Sequence, residues 1–273
     1  MVAQKVVLIT GASSGIGYQT AKKLATQQFK VYGAARRVDR LAPLVQLGVS
    51  PIYMDITDDE AITKAVAHII EASGRIDVLI NNAGYGSYGA IENVPISEAK
   101  KQFDTNLFGL AKLTQLVLPY MRAQQSGRII NVSSMAGRMT TYMGAWYHAT
   151  KYALEGFSDA LRMEVKPFGI DVVLIEPGGI KTNWGIIAAD NLKKTSQGTA
   201  YQEHALAASE RMRQLYSSDK LTAPEVIADT IVKSVINKRA KTRYLVGYGA
   251  KALVALHTIL PTRAFDKIIQ KLV

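Results

Sequence analysis

Short apolar segments rich in β-branched residues alternate along the chain with longer segments that have helical periodicity. This alternation predicts strand-helix-strand units, which build a parallel sheet. The predicted strands are apolar throughout, as is typical of a sheet that helices cover on both faces. We therefore predict an α/β fold with one doubly wound parallel sheet. The predicted strands are KVVLIT, KVYGAA, PIYM, IDVLI, RIINVS, DVVLIEP and TRYLV.

The segments between and after these strands predict how the chain is organised. Helices are expected over 16–28, 37–47, 58–73, 97–124, 145–166 and 224–237. No repeat or linker marks a boundary, so we expect a single domain over residues 1–273. Residues 183–218 are polar and small with scattered large side chains, which predicts a helical insertion that acts as a substrate lid. Residues 247–273 form an apolar, basic tail, interrupted by Lys251, His257 and Pro261 before it could span a bilayer.

The charge of the chain is concentrated near its C-terminal end. The formal net charge is +11, and residues 220–273 hold ten Lys and Arg against three acidic residues. Basic surfaces attract nucleic acids and anionic membranes. No nucleic-acid-binding motif accompanies this charge, so we expect no nucleic-acid partner. Contact of the tail with a membrane surface stays open.

The absence of cysteine limits the chemistry of the chain. There is no thiol for a disulfide, a nucleophile or a metal ligand, and the four histidines lack metal-ligand spacing. We expect no metal site. The first residues show no signal-peptide pattern, because their apolar run leads directly into a glycine-rich turn. We expect a cytoplasmic protein.

That glycine-rich turn is the first candidate site. Thr10-Gly11-Ala12-Ser13-Ser14-Gly15-Ile16-Gly17 follows the first predicted strand and opens a helix. Glycines allow a close approach of the backbone, and free amides at a helix N-terminus attract a pyrophosphate. The turn alone is equally consistent with a sharp strand-to-helix connection. Its position in a doubly wound sheet favours a dinucleotide site of the Rossmann type.

The residues at the end of the second strand indicate which dinucleotide, NAD or NADP, the chain prefers. An enzyme that uses NAD usually has an acidic residue there to bind the ribose hydroxyls, whereas this chain has Arg36 and Arg37. Guanidinium groups can bind a 2′-phosphate through charge-assisted bonds. The alternative is a pair of solvated arginines at a helix start, where cations are mildly unfavourable. We expect NADP(H), with NAD the less favoured cofactor.

Tyr147 and Lys151 are the candidate reactive pair. Their spacing places the phenol and the ammonium on the same face of one helix. A phenol of ordinary pKa near 10 is a poor base at neutral pH, but an adjacent ammonium favours the phenolate. Tyr147 could then exchange a proton with a substrate oxygen. In an arbitrary protein, such a pair is more often part of the surface.

Several motifs in the same order resemble the short-chain dehydrogenase/reductase family. The resemblance extends from about Lys5 to Val246. It is carried by the turn T-G-x-x-x-G-I-G, the run Asn81-Asn82-Ala83-Gly84 after the fourth strand, and Pro177-Gly178 after the sixth. It implies that Asp55 contacts the adenine and that Ile180 and Thr182 help to hold the nicotinamide. The implied cofactor-binding set is Gly11, Ser13, Ser14, Gly15, Ile16, Gly17, Arg36, Arg37, Asp55, Asn82, Ala83, Gly84, Tyr147, Lys151, Pro177, Gly178, Ile180 and Thr182.

The resemblance also implies a catalytic set around Tyr147 and Lys151. Ser134 matches the serine that hydrogen-bonds the reacting oxygen, and Ser133 is the alternative by adjacency. Asn106 matches an asparagine that kinks the long helix and holds a water against the lysine. Met139, Tyr142, Met143 and Trp184 are expected to form an apolar pocket wall, although such residues are more often core.

The expected function follows from these assignments. We expect hydride transfer between NADP(H) and an alcohol/carbonyl pair on a small apolar substrate, through Ser134, Tyr147, Lys151 and Asn106. The chain looks most like the hydroxysteroid, retinol and acyl-dihydroxyacetone-phosphate reductase branch, which implies a lipid-like or steroid-like substrate. A non-catalytic NADPH-binding sensor on the same fold is the alternative. The resemblance also implies a homo-oligomer, a dimer or a tetramer, in which the tail could be buried instead of facing a membrane.

Overall fold

A seven-stranded parallel sheet forms the centre of the computed structural model, which describes residues 4–272, with side chains to residue 270. The strands are β1 (Val6–Thr10), β2 (Lys30–Ala35), β3 (Val49–Tyr53), β4 (Val78–Asn81), β5 (Gly127–Val132), β6 (Ile170–Pro177) and β7 (Arg243–Val246). Their order in the sheet is β3-β2-β1-β4-β5-β6-β7, with every pair parallel. The order reverses between β1 and β4, and a ligand crevice is expected at such a switch point.

Eleven α-helices surround the sheet within the described residues. They are α1 (Gly15–Ala25), α2 (Ala42–Val45), α3 (Asp59–Ser73), α4 (Ile96–Phe103), α5 (Gly109–Ala123), α6 (Ala145–Val165), α7 (Trp184–Thr195), α8 (Gln202–Ser217), α9 (Pro224–Ile236), α10 (Ala250–Ile259) and α11 (Thr262–Leu272). The predicted insertion 183–218 thus contains α7 and α8, and the tail contains α10 and α11.

Successive strand residues supply two separate cores. Leu8 faces the layer that contains α3 and α5, where it joins a cluster with Leu113. Its neighbour Ile9 faces the opposite layer and joins a cluster with Leu24 of α1 and Ile231 of α9. Neighbouring side chains of a strand point to opposite faces, so strands covered on both faces must be apolar at every position. The predicted doubly wound α/β fold is confirmed.

The predicted helix over 37–47 is wrong in detail. The structure has a 3-10 turn at Val38–Leu41 followed by the single turn of α2. Pro43 stands at the start of α2, where its missing amide cannot continue the hydrogen bonding of the preceding turn.

The predicted helix over 97–124 is interrupted by a π-helical turn. Asp104–Phe108 separates α4 from α5. Immediately after the turn, Gly109 lies so close to the loop after β3 that an added Cβ would be 1.9 Å from the carbonyl oxygen of Ile56. The sequence permits this approach only because residue 109 has no side chain.

The tail lies beside the insertion. Val254 of α10 and Phe265 of α11 are buried in a cluster with Met139, which follows β5. A cavity of about 360 Å³ is lined by His204 and Arg211 of α8 and by Gln270 of α11, among other residues. None of the helices among residues 4–272 is long and apolar enough to cross a membrane.

We predict opposite effects for alanine at two helical glycines. Gly109→Ala should lower the free energy of unfolding by about 2 kcal/mol or more, because the new methyl group overlaps the Ile56 carbonyl. Gly156→Ala in α6 is the matched control, since nothing lies within 4 Å of its added Cβ. It should raise stability by up to about 1 kcal/mol through helix propensity. Urea unfolding of the two variants measures this difference, and equal effects would contradict the close approach.

Candidate active site

The glycine-rich turn lies at the switch point, where β1 and β4 end side by side. Gly11 has φ +67° and Gly15 has φ +55°, which are left-handed conformations that favour glycine. Gly17 is required by proximity, because an added Cβ would be 2.5 Å from Asn82 Nδ2 and from the Gly11 carbonyl oxygen. The Ser14 side chain makes no capping hydrogen bond to α1. This open backbone cradle has the shape and the free amides that a pyrophosphate group needs.

Asn82 connects the end of β4 to this turn. Its Nδ2 donates to the carbonyl oxygens of Thr10 at 3.0 Å and of Gly11 at 3.3 Å. The Thr10 hydroxyl accepts from the backbone amides of Asn82 and Ala83, both at 3.0 Å. Sequence reasoning assigned Asn82 and Ala83 to the site but gave no role to Thr10. The signal was its position as the last residue of the first strand.

Asn81, the last residue of β4, connects that strand to β5. Its Nδ2 donates to Asn131 Oδ1 at 2.9 Å, and Asn131 Nδ2 donates to Ser158 Oγ of α6 at 2.9 Å. All three side chains are buried. Buried amides need such partners because water cannot reach them. The chain of bonds connects β4, β5 and the helix that carries Tyr147.

The segment after β6 lies across the crevice from the glycine-rich turn. Gly178 donates its amide to the Val246 carbonyl at 2.8 Å, and an added Cβ there would be 2.2 Å from the Tyr248 carbonyl oxygen. Ile180 is buried. The Thr182 side chain lies 3.5 Å from the Cβ position of Gly15. The structure therefore brings two of the predicted cofactor-binding segments together, with Pro177 at the end of β6.

Arg36 and Arg37 are exposed at the end of β2. Arg36 Nη1 lies 3.8 Å from Asp55 Oδ2, and its side chain is 71% exposed. Asp55 in turn accepts from the Thr57 amide and hydroxyl at 3.0 and 2.8 Å, which fixes its carboxylate. The predicted adenine contact and a predicted phosphate ligand are thus neighbours.

Tyr147 and Lys151 are both buried on one face of α6. Lys151 Nζ lies 6.0 Å from the Tyr147 ring centre and donates to the Val132 carbonyl oxygen at 3.0 Å. Burial raises the pKa of Tyr147 well above its ordinary value, so the phenol is protonated and uncharged at neutral pH. Burial also lowers the pKa of Lys151 to about 8, against the attraction of Glu155. The ammonium form therefore still dominates at neutral pH.

The two serines after β5 face different neighbours. Ser134 Oγ approaches the Pro177 carbonyl oxygen at 3.4 Å, and its nearness to Tyr147 partly offsets the effect of burial on the phenol pKa. Ser133 is buried on the other side, where it influences Glu155 instead. This geometry favours the register that selects Ser134.

Asn106 lies within the π-helical turn and is fully enclosed. Its Nδ2 donates to the Tyr85 carbonyl at 2.9 Å and to Thr150 Oγ1 at 3.0 Å, while its Oδ1 accepts from the Tyr85 amide at 3.0 Å. The Cβ position of Gly84 is 3.1 Å from Asn106 Oδ1 and 3.9 Å from Lys151 Nζ. Asn106 therefore fixes the chain beyond Gly84 against α6, beside the lysine.

His148 has a structural environment, although it is adjacent to Tyr147. Its Nδ1 lies 3.0 Å from the Ala136 carbonyl oxygen, and its Nε2 lies 2.9 Å from Thr141 Oγ1. Burial lowers its pKa, so the ring is neutral. The histidine connects both ends of the β5–α6 loop to the helix.

Aromatic residues surround Tyr147. The Trp184 ring centre is 4.9 Å from that of Tyr147, with Tyr88 and Tyr216 about 6 Å from Trp184. Gly86 makes room for the indole, since an added Cβ would be 2.2 Å from it. Met143 and Tyr142 join the same cluster, whereas the predicted wall residue Met139 belongs to the tail cluster. A cavity of about 470 Å³, lined mostly by residues of loops 89–92 and 140–145, opens beside the cluster.

Comparison with known proteins identifies the class to which this fold and crevice belong. The profile of the short chain dehydrogenase family matches residues 5–191. The chain is a member of this family, and hence an oxidoreductase of the short-chain type.

Individual relatives cover nearly the whole chain. A probable short-chain type dehydrogenase/reductase of Helicobacter pylori, VdlC, is 38% identical over 268 residues, covering 98% of this chain and 97% of its own length. The 3-ketodihydrosphingosine reductase of Bacteroides thetaiotaomicron is 37% identical over 254 residues, covering 92% and 91%. The crystal structure of a short-chain dehydrogenase from Streptomyces avermitilis superimposes with a TM-score of 0.83 at 33% identity, covering 99% and 97%.

Proposed function

We propose that this chain is an NADPH-dependent reductase that converts a ketone on an apolar, lipid-like substrate to an alcohol. The observation that carries the proposal is the arrangement on α6, where a neutral buried phenol and a buried ammonium lie on one face with Ser134 beside the phenol. Tyr147, Lys151, Ser134 and Asn106 form the catalytic set of the proposal. The single domain carries both the cofactor cradle and the substrate cavity.

The proposed direction follows from the protonation states. Bound NADPH would supply the hydride. Tyr147 holds a proton that it can donate to the oxygen of a ketone, and Ser134 can hydrogen-bond the same oxygen and orient it. The charged Lys151 stabilises the phenolate that remains after proton transfer. Reduction therefore begins from the protonation state that burial already favours.

The cofactor would be held by five parts of the chain. Gly11, Ser13, Ser14, Gly15, Ile16 and Gly17 would bind the pyrophosphate through backbone amides. Asp55, Asn82, Ala83 and Gly84 would contact the adenosine half, and Pro177, Gly178, Ile180 and Thr182 the nicotinamide half. Arg36 and Arg37 would bind the 2′-phosphate.

The proposed substrate class rests on the cavity and on one relative. The cavity of about 470 Å³ is lined largely by apolar groups, including Ala90, Ile91 and Met143. The Bacteroides relative is named for reduction of a sphingoid ketone. We infer a long-chain ketone with its carbonyl at Tyr147, consistent with the lipid-directed branch of the family, and assign α7 and α8 the role of a lid over it.

Tyr147→Phe should abolish ketone reduction and leave NADPH affinity nearly unchanged, because only the proton-donating oxygen is lost. Activity is measured as NADPH oxidation with a panel of long-chain 3-oxo lipids, steroid ketones and retinal. Affinity is measured from NADPH fluorescence. Tyr152→Phe, which alters an exposed tyrosine of the same helix, is the control. Wild-type NADPH binding with no turnover of any carbonyl would favour a non-catalytic NADPH sensor instead.

Arg36→Asp should move the cofactor preference from NADPH toward NADH. A charge-assisted bond contributes about 1.5–3 kcal/mol, or roughly one to two powers of ten in affinity. The exposure of Arg36 places the expected shift at the lower end of that range. The aspartate also repels the phosphate and offers an acceptor to the ribose hydroxyls.

The measured quantity is the ratio of kcat/KM with the two cofactors on one substrate. Arg239→Asp makes the same charge change at an exposed position on the β7 side of the sheet and should leave the ratio unchanged. An unmoved ratio in Arg36→Asp, or a wild type that prefers NADH, would show the arginines to be surface residues.

We also propose that the tail borders the substrate entrance and rests on an anionic membrane surface. Phe265 and Ile269 of α11 point inward, whereas Arg263 and Lys267 are exposed. Ile259, the last residue of α10, is 79% exposed. A basic helix beside an exposed apolar residue suits the membrane interface. Burial of the same face between subunits of a homo-oligomer is the competing arrangement.

Vesicle co-sedimentation separates these two arrangements. Wild type should bind phosphatidylglycerol vesicles more strongly than phosphatidylcholine vesicles, and Ile259→Ser with Lys267→Glu should weaken binding severalfold. Ile236→Ser, which removes an exposed isoleucine at the end of α9, is the control. Absence of vesicle binding, with the double variant shifting the oligomer to a smaller mass, would assign the tail to a subunit interface.

A further inference from the structure

A buried ionic cluster adjoins the catalytic residues of α6. Glu155 is one helical turn beyond Lys151, and its side chain is 8% exposed. Glu176 of β6, which precedes Pro177, is 0% exposed. Two carboxylates that lack solvent require counter-charges, and isolated buried charges are rarely tolerated. The proposed reaction makes no direct use of either carboxylate.

Arg243 of β7 supplies the main counter-charge. Its Nε lies 3.3 Å from Glu155 Oε2 and 3.1 Å from Glu176 Oε1, and its Nη2 lies 2.6 Å from Asp159 Oδ2. Arg138 Nη1 approaches Glu176 at 3.4 Å. The Arg243 guanidinium is thus shared among three carboxylates. Its single charge therefore neutralises Glu155 only in part.

The second oxygen of Glu155 is not paired with the ionic cluster. Glu155 Oε1 and Ser133 Oγ are both buried without a hydrogen-bond partner among the described residues. The Cβ position of Gly137 lies 2.8 Å from Glu155 Cγ, 2.9 Å from the Lys151 carbonyl oxygen and 3.1 Å from Ser133 Oγ. Glu155, the backbone of Lys151 and Ser133 therefore converge on one point. Any larger residue at position 137 would separate them.

We propose that Glu155 is a positioning residue that acts through Lys151: it is the buried counter-charge that keeps this lysine an ammonium ion. Lys151 in turn donates to the Val132 carbonyl at the end of β5, the strand end that Ser134 follows. This inference rests on the proposed function only in that Lys151 is taken as catalytic. The electrostatic coupling itself is a property of the ligand-free chain.

Burial disfavours the charged forms of both Glu155 and Lys151, and the opposite charge of Glu155 offsets part of this effect at Lys151. Burial raises the pKa of Glu155 to about 7, a shift that the charge of Glu176 reinforces and that of Arg243 opposes. Burial lowers the pKa of Lys151 to about 8, and the attraction of Glu155 opposes that shift. Both groups are therefore charged together between about pH 7 and 8. Above that range Lys151 loses its proton, and below it Glu155 gains one.

Glu155→Gln imitates the protonated carboxyl with little change in shape. The variant should lower the pKa of Lys151 by roughly one unit, because it removes the nearby carboxylate whose attraction raises that pKa. The direct measurement is a pH titration of the lysine Nζ signals by NMR in ¹⁵N-lysine-labelled protein, with Lys151 assigned by Lys151→Arg. Asp159→Asn is the matched control, because it removes another carboxylate of Arg243 that is farther along α6.

The rate should follow the same pattern. The basic limb of the kcat/KM profile for NADPH-dependent ketone reduction should shift to lower pH in Glu155→Gln. The two proteins should converge below about pH 6, where Glu155 of the wild type is protonated and as uncharged as the glutamine. Glu155→Asp should restore most of the basic limb. Thermal unfolding of each variant checks that the fold is retained.

Three results would overturn the proposal: an unshifted Lys151 titration in Glu155→Gln, an equal shift in Asp159→Asn, or a loss of rate that is the same at every pH. If no carbonyl is reduced by wild type, the proposed function fails. The NMR titration still decides the coupling in that case.

Discussion

The hydrogen bonds that Asn82 makes to the turn after β1 are the interaction on which the site depends. The backbone pairing of β1 with β4 ends at Ile9 and Ile80, so the turn that follows β1 receives no further sheet partners from β4. The Asn82 amide and the Thr10 hydroxyl supply them instead, with four contacts between 3.0 and 3.3 Å. Because Asn82 Nδ2 occupies the space beside Gly11 and Gly17, the glycines serve the clamp as well as the cofactor cradle. The cradle is therefore held in place by contacts within the chain itself.

The same logic extends from β4 to the catalytic helix. Asn81, Asn131 and Ser158 carry a buried polar connection across the sheet, and Asn106 joins Tyr85 to Thr150 on the next turn of α6. A hydrogen bond contributes only about 1 kcal/mol on average, but a buried polar group left without its partner costs more. Such a network therefore tolerates one arrangement of its members. It fixes the position of α6, and with it Tyr147 and Lys151, relative to the cofactor cradle more firmly than apolar packing could.

The features of the fold and site that the sequence could predict are those that depend on residues close together in the chain. The sheet follows from local patterns, because β-branched runs and helical periodicity are read within ten or twenty residues, and these predictions agree with the structure. The glycine-rich turn, the Tyr147/Lys151 spacing and the Arg36/Arg37 pair are also local. Local patterns did not indicate the π-helical turn, which involves contacts between Asn106 and residues 21 and 44 positions away; the family resemblance alone implied a kink at Asn106.

The residues that sequence reasoning missed share one property. Thr10, Thr150, Glu155 and Arg243 act through partners distant in the chain, as the separation of 88 residues between Arg243 and Glu155 illustrates. Periodicity identified α6 as a helix with Tyr147 and Lys151 on one face, and Glu155 continues that face by its i,i+4 spacing. What the spacing could not indicate is that this face is buried along three turns and that β7 brings a guanidinium to it.

The buried face of α6 also explains why the phenol is a proton donor before anything binds. Tyr147 is enclosed by Tyr88, Trp184 and Ser134, and burial disfavours the phenolate more than the nearby serine favours it. Lys151 is the cation beside Tyr147 that the proposed reaction uses. Its own pKa is about 8, so it is close to losing its proton. A helix that buries an acid and a base on one face thus requires a compensating charge on the same face. Glu155, one turn beyond Lys151, is the next residue of that face and carries such a charge. It therefore connects Lys151 to the ionic cluster around Arg243.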